Sequence, residues 1–385
     1  MFRIGIAGCG IAGTAAGAHL ARAGHRVTLF ERSPVLGPVG AGLLLQVSGQ
    51  EALAELGLLE AVASRSEPLE GLRAFQVDGR RLIHLPYAAA GLDWQGYGVS
   101  RGTLFSALLE ACRGAGVEIV PATPIERRER TPEGTFLIGP DGARHGPFDF
   151  VIAADGARSA LRRGSGLRQS CRPYDFGALW ATGPCSGVRG HLYQVVRGTR
   201  ILIGILPMGN GRASFFWGDF QDRIDGLRAR GFESWRDEVL SLCPLAAEVF
   251  TELTSFEPMA FVTYVHVSCP SWHDGSMLLL GDAAHAMSPH LGQGANLALA
   301  DASSFARALA ATGDFAAACR RHEEERRPPV EYLSRLSFLL TPFFQSGSRV
   351  LGWGRDLALP LLTAVPPVRR QMARTLAGKA RGWVS

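Results

Sequence analysis

Glycine spacing near the N-terminus constrains this chain more than any other feature. Gly8-Cys9-Gly10-Ile11-Ala12-Gly13 follows an apolar run over 3–8 and precedes an alanine- and leucine-rich stretch over 13–24, after which Arg26-Val-Thr-Leu-Phe-Glu31 forms a second apolar run. Short apolar runs bounded by glycine read as buried strands, and the stretch between them has the length and periodicity of a helix. With connections this short, residues 3–31 predict one βαβ unit of a parallel sheet. The glycines let backbone N–H groups approach an anion with no Cβ in the way, at a helix N-terminus whose dipole favours negative charge.

Alone, that fingerprint admits the pyrophosphate of NAD, NADP or FAD. Glu31 lies 18 residues after Gly13 at the end of the second strand, where an acid can accept hydrogen bonds from ribose hydroxyls and repels a 2′-phosphate. Glu31 and its neighbour Arg32 are therefore expected at the adenosine side of FAD or NAD. The run Ser276-Met-Leu-Leu-Leu-Gly-Asp-Ala-Ala-His285 then ends a distant strand in Gly281-Asp282. An acid at the C-terminal end of a parallel strand can hold a ribityl hydroxyl of an extended cofactor, and NAD has no ribityl chain. The pair of elements points to FAD.

Between them the pattern changes. Runs over 50–62 and 101–115 are helical, 72–86 reads as strands turned at Asp78-Gly79, and 117–120 with a hairpin around Gly139-Pro-Asp-Gly142 reads as an antiparallel insertion. Phe148 to Asp155 is another buried parallel strand turning at Asp155-Gly156. Alternating runs at 191–196, 200–206, 212–217 and 261–267 predict a separate antiparallel sheet, after which 277–280 returns to the parallel one. The expected architecture is α/β. A Rossmann-type FAD domain takes 1–70, 99–170 and 275–325, an inserted antiparallel-sheet substrate domain takes 71–98 and 171–274, and a C-terminal helical segment takes 326–385.

Three ordered motifs resemble the class A flavoprotein monooxygenases, the single-component FAD-dependent aromatic hydroxylases that include 4-hydroxybenzoate, salicylate and 6-hydroxynicotinate hydroxylases. They are Gly8-x-Gly10-x-x-Gly13 with Glu31, then Asp155-Gly156-Ala157-Arg158-Ser159-Ala160-Leu161-Arg162, then Gly281-Asp282 continuing into Pro289-His290-Leu291-Gly292-Gln293-Gly294-Ala295-Asn296. The resemblance implies a glutathione-reductase-like fold and FAD contacts at Gly8, Gly10, Ile11, Ala12, Gly13, Arg101, Gly281 and Asp282, and through the loop Pro289, Gly292, Gln293, Gly294, Ala295 and Asn296. It implies that Asp155, Gly156 and Arg158 help hold a transient NADH or NADPH. Relatives often carry a Pro-Asn pair where this chain has Gly42 to Gln50, so Gln46 is not assigned a cofactor role. The implied reaction reduces FAD with NAD(P)H, adds O2 to form a C4a-hydroperoxyflavin and hydroxylates an aromatic or secondary-metabolite substrate. His191 and Tyr193, on the first strand of the inserted sheet, are the candidates for a catalytic base, and alternation turns both to the same face.

Competing chemistries meet obstacles. Halogenases of this fold need an active-site lysine, and Lys379, near the C-terminus, is the only lysine here. A dithiol reductase needs C-x-x-C, which the seven scattered cysteines do not form, and that usage suits a reduced cytoplasmic setting. An epoxidase, an N-hydroxylase, a prenyl-type reductase and a non-catalytic flavin-binding protein stay open. A net charge of +5 without a dense basic stripe argues against nucleic acid. No apolar run is long enough to span a membrane, the nearest being Leu357 to Val365, broken by Pro360. After the charged stretch Arg320–Arg327, Pro328-Pro329 is expected to break the helix. The apolar segment beyond, with Phe343, Phe344, Leu351 and Trp353, is expected to cap the body, bury a surface of a homodimer or touch a membrane peripherally.

Overall fold

The computed structural model describes residues 1–37, 41–91 and 93–383, so the last two residues of the expected C-terminal segment, Val384 and Ser385, lie outside it. Five parallel strands form the central sheet, in the order Met277–Leu279, Phe150–Ala153, Arg3–Ala7, Arg26–Phe30 and Glu118–Val120. Such strands are covered on both faces, which is why Ile4, Ile6, Leu29, Val151, Ile152 and Leu278 are all fully buried. The helix Ile11–Arg22 buries Ala12, Ala15, Ala16, Ala18 and Leu20, a small-residue face that permits close approach to the sheet. Glu118–Val120, expected within the antiparallel insertion, instead pairs parallel with Arg26–Phe30. Only 127–148 builds the three-stranded antiparallel insert. A three-residue strand is too short to show a period, and the crossover helix Arg101–Gly114 decides its partner.

A seven-stranded sheet runs Ala260–Ser268, Ser170–Pro184, Arg212–Phe220, Ile201–Pro207, His191–Arg197, Gly71–Gln76 and Arg81–Pro86. It is antiparallel except where His191–Arg197 pairs parallel with Gly71–Gln76. Its longest strand, Ser170–Pro184, was not expected, because Pro173, Gly177, Gly183 and Pro184 hide the alternation. The helices Ile224–Ala229 and Phe232–Leu242 cover one face, centred on the fully buried Trp217 and Trp235.

The expected break at Pro328-Pro329 does not occur. One helix spans Phe315–Phe344 with three prolines inside it. Each proline removes a donor and costs about 3 kcal/mol in a free helix. Glu324 and Glu325, whose carbonyls lose their partners, are exposed and can bond water, while Val330, Leu333, Ser337 and Thr341 beyond are buried against the body. Burial of that face outweighs the local penalty.

Candidate functional site

The first glycine loop is shaped by contacts that no side chain would tolerate. A Cβ at Gly13 would sit 1.9 Å from the Gly8 carbonyl oxygen, whereas one at Gly10 would meet nothing within 4 Å. The open side is at Gly10, the N-cap of Ile11–Arg22, which carries no side-chain cap. Glu31 underpins the loop, its carboxylate accepting from the N–H groups of Cys9 (2.9 Å) and Ser33 (3.0 Å). Arg32 is exposed beside it.

Gly281 brings the distant strand onto this loop. Its φ of +60° and ψ of −135° suit glycine alone, and a Cβ there would lie 3.0 Å from Ala12 Cβ and 3.3 Å from Ala298 Cβ. The strand end is therefore wedged between Ile11–Arg22 and the helix Gly294–Thr312. Asp282 is exposed, makes no hydrogen bond to a described residue, and places Oδ1 beside Gly294. Pro289–Leu291 forms one 3-10 turn, and Gly292 at φ +63° leads into Gly294–Thr312, whose first N–H groups at Gly294, Ala295 and Asn296 have no intrahelical acceptor. Within this loop the side chains of Gln293 and Asn296 are buried and face inward. Asn296 accepts from Gln46 N–H (2.7 Å) and donates to the carbonyls of Leu44 and Gly292, while Gln293 donates to Thr375 and Leu376 (3.2 and 2.8 Å). Any contact they offer a ligand is through the backbone.

Arg101 opens the helix Arg101–Gly114 and points its guanidinium at the same space, with no hydrogen-bond acceptor among the described residues. Burial lowers it from the ordinary arginine value, while Asp282 and Tyr264 nearby favour its charge. A half-buried, unpartnered cation beside two helix N-termini and an open glycine is a cradle for a long anionic cofactor. The residues present fit FAD.

Asp155 is tied to its own loop. Its Oδ2 accepts from the N–H groups of Ala160 and Leu161 (2.8 and 3.4 Å), its Oδ1 is buried, and burial raises its pKa against those bonds and Ser159. One oxygen of this carboxylate thus positions the loop Gly156–Ser159, beside the part in holding a transient nicotinamide that is expected of it. Arg158 stays exposed, donating to Thr263 Oγ1 at 2.8 Å. The residue that sequence reasoning quoted without a role is Arg162. It is 1% exposed and donates to the carbonyls of Ala283 (2.9 Å) and Ala157 (2.8 Å) and to Gln169 Oε1 (2.9 Å), tying the second motif to the third.

Facing this cradle is an aromatic wall. Register places Gln194, Gly204, Phe216 and Trp180 in one row on one face of the seven-stranded sheet. Phe216 and Trp180 pack at 4.9 Å, Trp180 Nε1 donates to Tyr264 OH at 3.0 Å, and Phe176 lies 5.9 Å from Tyr264 and 5.4 Å from His290. Burial pushes the Tyr264 phenol up to about 12. The neighbouring row Tyr193, Ile205, Phe215 and Ala181 belongs to the opposite face, under Trp235. His191 shares that parity, 3.8 Å from Glu70, so neither His191 nor Tyr193 meets the cradle, and their expected role as base is withdrawn. His290 is the imidazole on the correct side. Its Nδ1 is 2.9 Å from Ser288 Oγ and its Nε2 is buried with no hydrogen bond assigned among the described residues, while Gln345 nearby favours the protonated ring against the larger effect of burial. Lys379 pairs with Glu51 at 2.7 Å, away from the cradle.

Behind the loop, His285 Nε2 lies 2.6 Å from Asp301 Oδ2, and Arg326 donates to Asp301 Oδ1 at 2.8 Å. Burial opposes the Asp301 charge, yet His285 and Arg326 hold its carboxyl well below the ordinary range. Burial also pulls His19 and His290 down to about 4 and His322 to about 3. In the unfolded chain these three titrate near 6.5, so below that pH the unfolded state binds more protons. Stability is expected to fall between pH 6.5 and 4, by about 1.4 kcal/mol per pH unit for each fully shifted histidine. Urea denaturation across this window checks it, and a flat profile would contradict the burial assignment.

A sequence model of the FAD binding domain family matches residues 1–333. The chain is 30% identical over 337 residues to the aurachin C monooxygenase/isomerase of Stigmatella aurantiaca, covering 83% of this chain and 84% of that protein. It is 28% identical over 374 residues to the 2-heptyl-3-hydroxy-4(1H)-quinolone synthase of Pseudomonas aeruginosa, covering 93% of each. The tetrameric form of 2-methyl-3-hydroxypyridine-5-carboxylic acid oxygenase shares the fold with a TM-score of 0.81 at 23% identity, over 100% of this chain and 99% of that one.

Proposed function

This chain belongs to the FAD-binding family of flavoprotein aromatic monooxygenases, and from that premise we propose that it hydroxylates a planar, electron-rich aromatic of the quinolone type, with NADH or NADPH as reductant and O2 as oxygen source. In balance, an aromatic C–H, O2, NAD(P)H and a proton give C–OH, water and NAD(P)+. Bound FAD supplies the electron transfer and the activation of dioxygen. The chain's part is to bind, orient and dehydrate. Arg101 and the N–H groups at Gly10 and at Gly294 to Asn296 hold the cofactor's anionic groups, with Glu31 at the adenosine ribose and Asp282 at the ribityl chain.

The observation that carries the substrate class is the aromatic wall of Phe176, Trp180, Phe216 and Tyr264 opposite the flavin loop. Flat rings pack on such a surface and exclude water from the reacting face. His290, neutral above about pH 4, offers Nε2 to an acidic N–H or O–H of the substrate. Arg158, exposed at the edge, is the side chain of the second motif most open to a transient NAD(P)H.

Steady-state NAD(P)H oxidation and oxygen uptake, screened over 4-quinolones, hydroxypyridine carboxylates and hydroxybenzoates, tests the reading. Stimulation by a quinolone with a product one oxygen atom heavier is expected; reductant consumption that yields only peroxide with every aromatic sinks it. His290→Phe is expected to keep FAD and lower kcat/KM roughly 10- to 100-fold, the loss of one buried hydrogen bond to substrate. Unchanged kcat/KM removes His290 from the site.

A further inference from the structure

Of the fourteen large apolar side chains exposed on the described surface, ten lie between Phe338 and Trp383. They are not scattered. Val350, Trp353, Leu357 and Leu361 recur at i, i+3, i+7 and i+11 along Arg349–Ala364 and so share one face, 77%, 71%, 56% and 63% exposed. The opposite face is docked. Gly352 is buried against Thr199, and Arg355, 2% exposed, donates to the carbonyls of Gly198 (2.8 Å) and Phe343 (2.9 Å). The body thus holds the apolar face outward.

Charge says what this face meets. Residues 332–385 carry eight Arg and Lys against one acid, Asp356, which gives the segment +7 in a chain of +5 and leaves the rest slightly acidic. Exposed Arg349, Arg369 and Arg370 lie immediately before and after the apolar stretch. The FAD binding domain match ends at residue 333, so the feature lies outside the segment that match assigns to the cofactor domain. No described helix is long and apolar enough to cross a membrane.

We propose that the outer face of Arg349–Ala364 seats on an anionic lipid surface and lies in the interface with Trp353 and Leu357 inserted and the flanking arginines at the headgroups. An apolar face bordered by basic residues is the pattern such a surface recognises. A second copy of this chain is disfavoured as the occupant, because pairing these faces would bring the exposed Arg349, Arg369 and Arg370 of both copies together.

FAD-loaded protein should float with phosphatidylcholine vesicles containing about 30% phosphatidylglycerol at low salt, at least about tenfold more than with phosphatidylcholine alone, and leave them at high salt. Trp353→Asp with Leu357→Asp, at exposed positions, should abolish flotation while flavin content and thermal melting stay unchanged. Arg369→Glu with Arg370→Glu should remove the preference for anionic vesicles with the apolar face intact. Wild-type protein that stays with the soluble fraction, or floats equally on neutral vesicles, overturns the proposal. So does a lipid-free dimer, seen by light scattering, that the Trp353→Asp/Leu357→Asp variant dissolves. The readout is lipid binding rather than turnover, so a negative result leaves the flavin chemistry standing.

Discussion

Replacing Gly13 with alanine is expected to leave a protein that purifies without FAD. The new Cβ would have to occupy a point 1.9 Å from the Gly8 carbonyl oxygen, and that oxygen is backbone, not the movable end of a side chain. Relief requires the turn from Gly8 to Gly13 to open. The bonds resisting that are Cys9 N–H to Glu31 and Thr14 N–H to the Gly10 carbonyl (2.9 Å each). Either the loop opens and its N–H groups turn off the pyrophosphate, or the helix start moves away from the sheet. A clash of this kind costs on the order of 3 kcal/mol, about a 100-fold loss in FAD affinity. Gly10→Ala separates shape from space: with nothing within 4 Å of its Cβ, the apoprotein should keep its stability to within about 1 kcal/mol. FAD binding should still weaken in that variant, because the added methyl takes the room the phosphate needs. The flavin-to-protein absorbance ratio and an apoprotein melt measure both. Full FAD occupancy in Gly13→Ala would show that the loop does not bind as described.

Arg162→Met should be the most destabilising single change away from the glycines. It would strand the carbonyls of Ala283 and Ala157 and the Gln169 side chain in a site where Arg162 is 1% exposed. Buried acceptors left without donors cost about 1–3 kcal/mol each, and their joint loss is expected to cost roughly 3–5 kcal/mol. The effect should also reach the cofactor, because Ala283 follows Asp282 directly and the freed loop no longer holds that carboxylate beside Gly294. FAD dissociation should therefore accelerate along with the fall in denaturation midpoint. Arg162→Lys retains the charge but not the three-way fork, and should recover only part of the loss. Wild-type stability for Arg162→Met, within about 1 kcal/mol, would mean that the two motif loops are held together by something other than this side chain.

The cradle was legible from the chain because glycine and strand-end acids announce themselves at fixed spacings. Gly8, Gly13 and Gly281 are each forced by a contact or a φ that other residues cannot accommodate. The wall facing the cradle was not. Its strand Ser170–Pro184 contains two glycines and two prolines, and the aromatic side chains that matter come from three strands whose register only the folded sheet sets. Gly204, where a Cβ would lie 2.0 Å from the Phe216 ring, was the available signal, a glycine inside an otherwise apolar strand.

His191 and Tyr193 show the same limit. Alternation correctly gave them a common face, but which face met the cofactor depended on the helices Ile224–Ala229 and Phe232–Leu242, which lie elsewhere in the chain. Local sequence determined where the backbone turns and where glycine leaves N–H groups open at two helix starts, the cradle proposed to hold FAD. The tertiary structure decided which side of a strand faces that cradle, that Asp155 braces its own loop, that Arg162 bridges two motifs, and that a helix runs through Pro328-Pro329. Those outcomes depend on burial against distant partners, and burial is a property of the assembled layers rather than of any one segment.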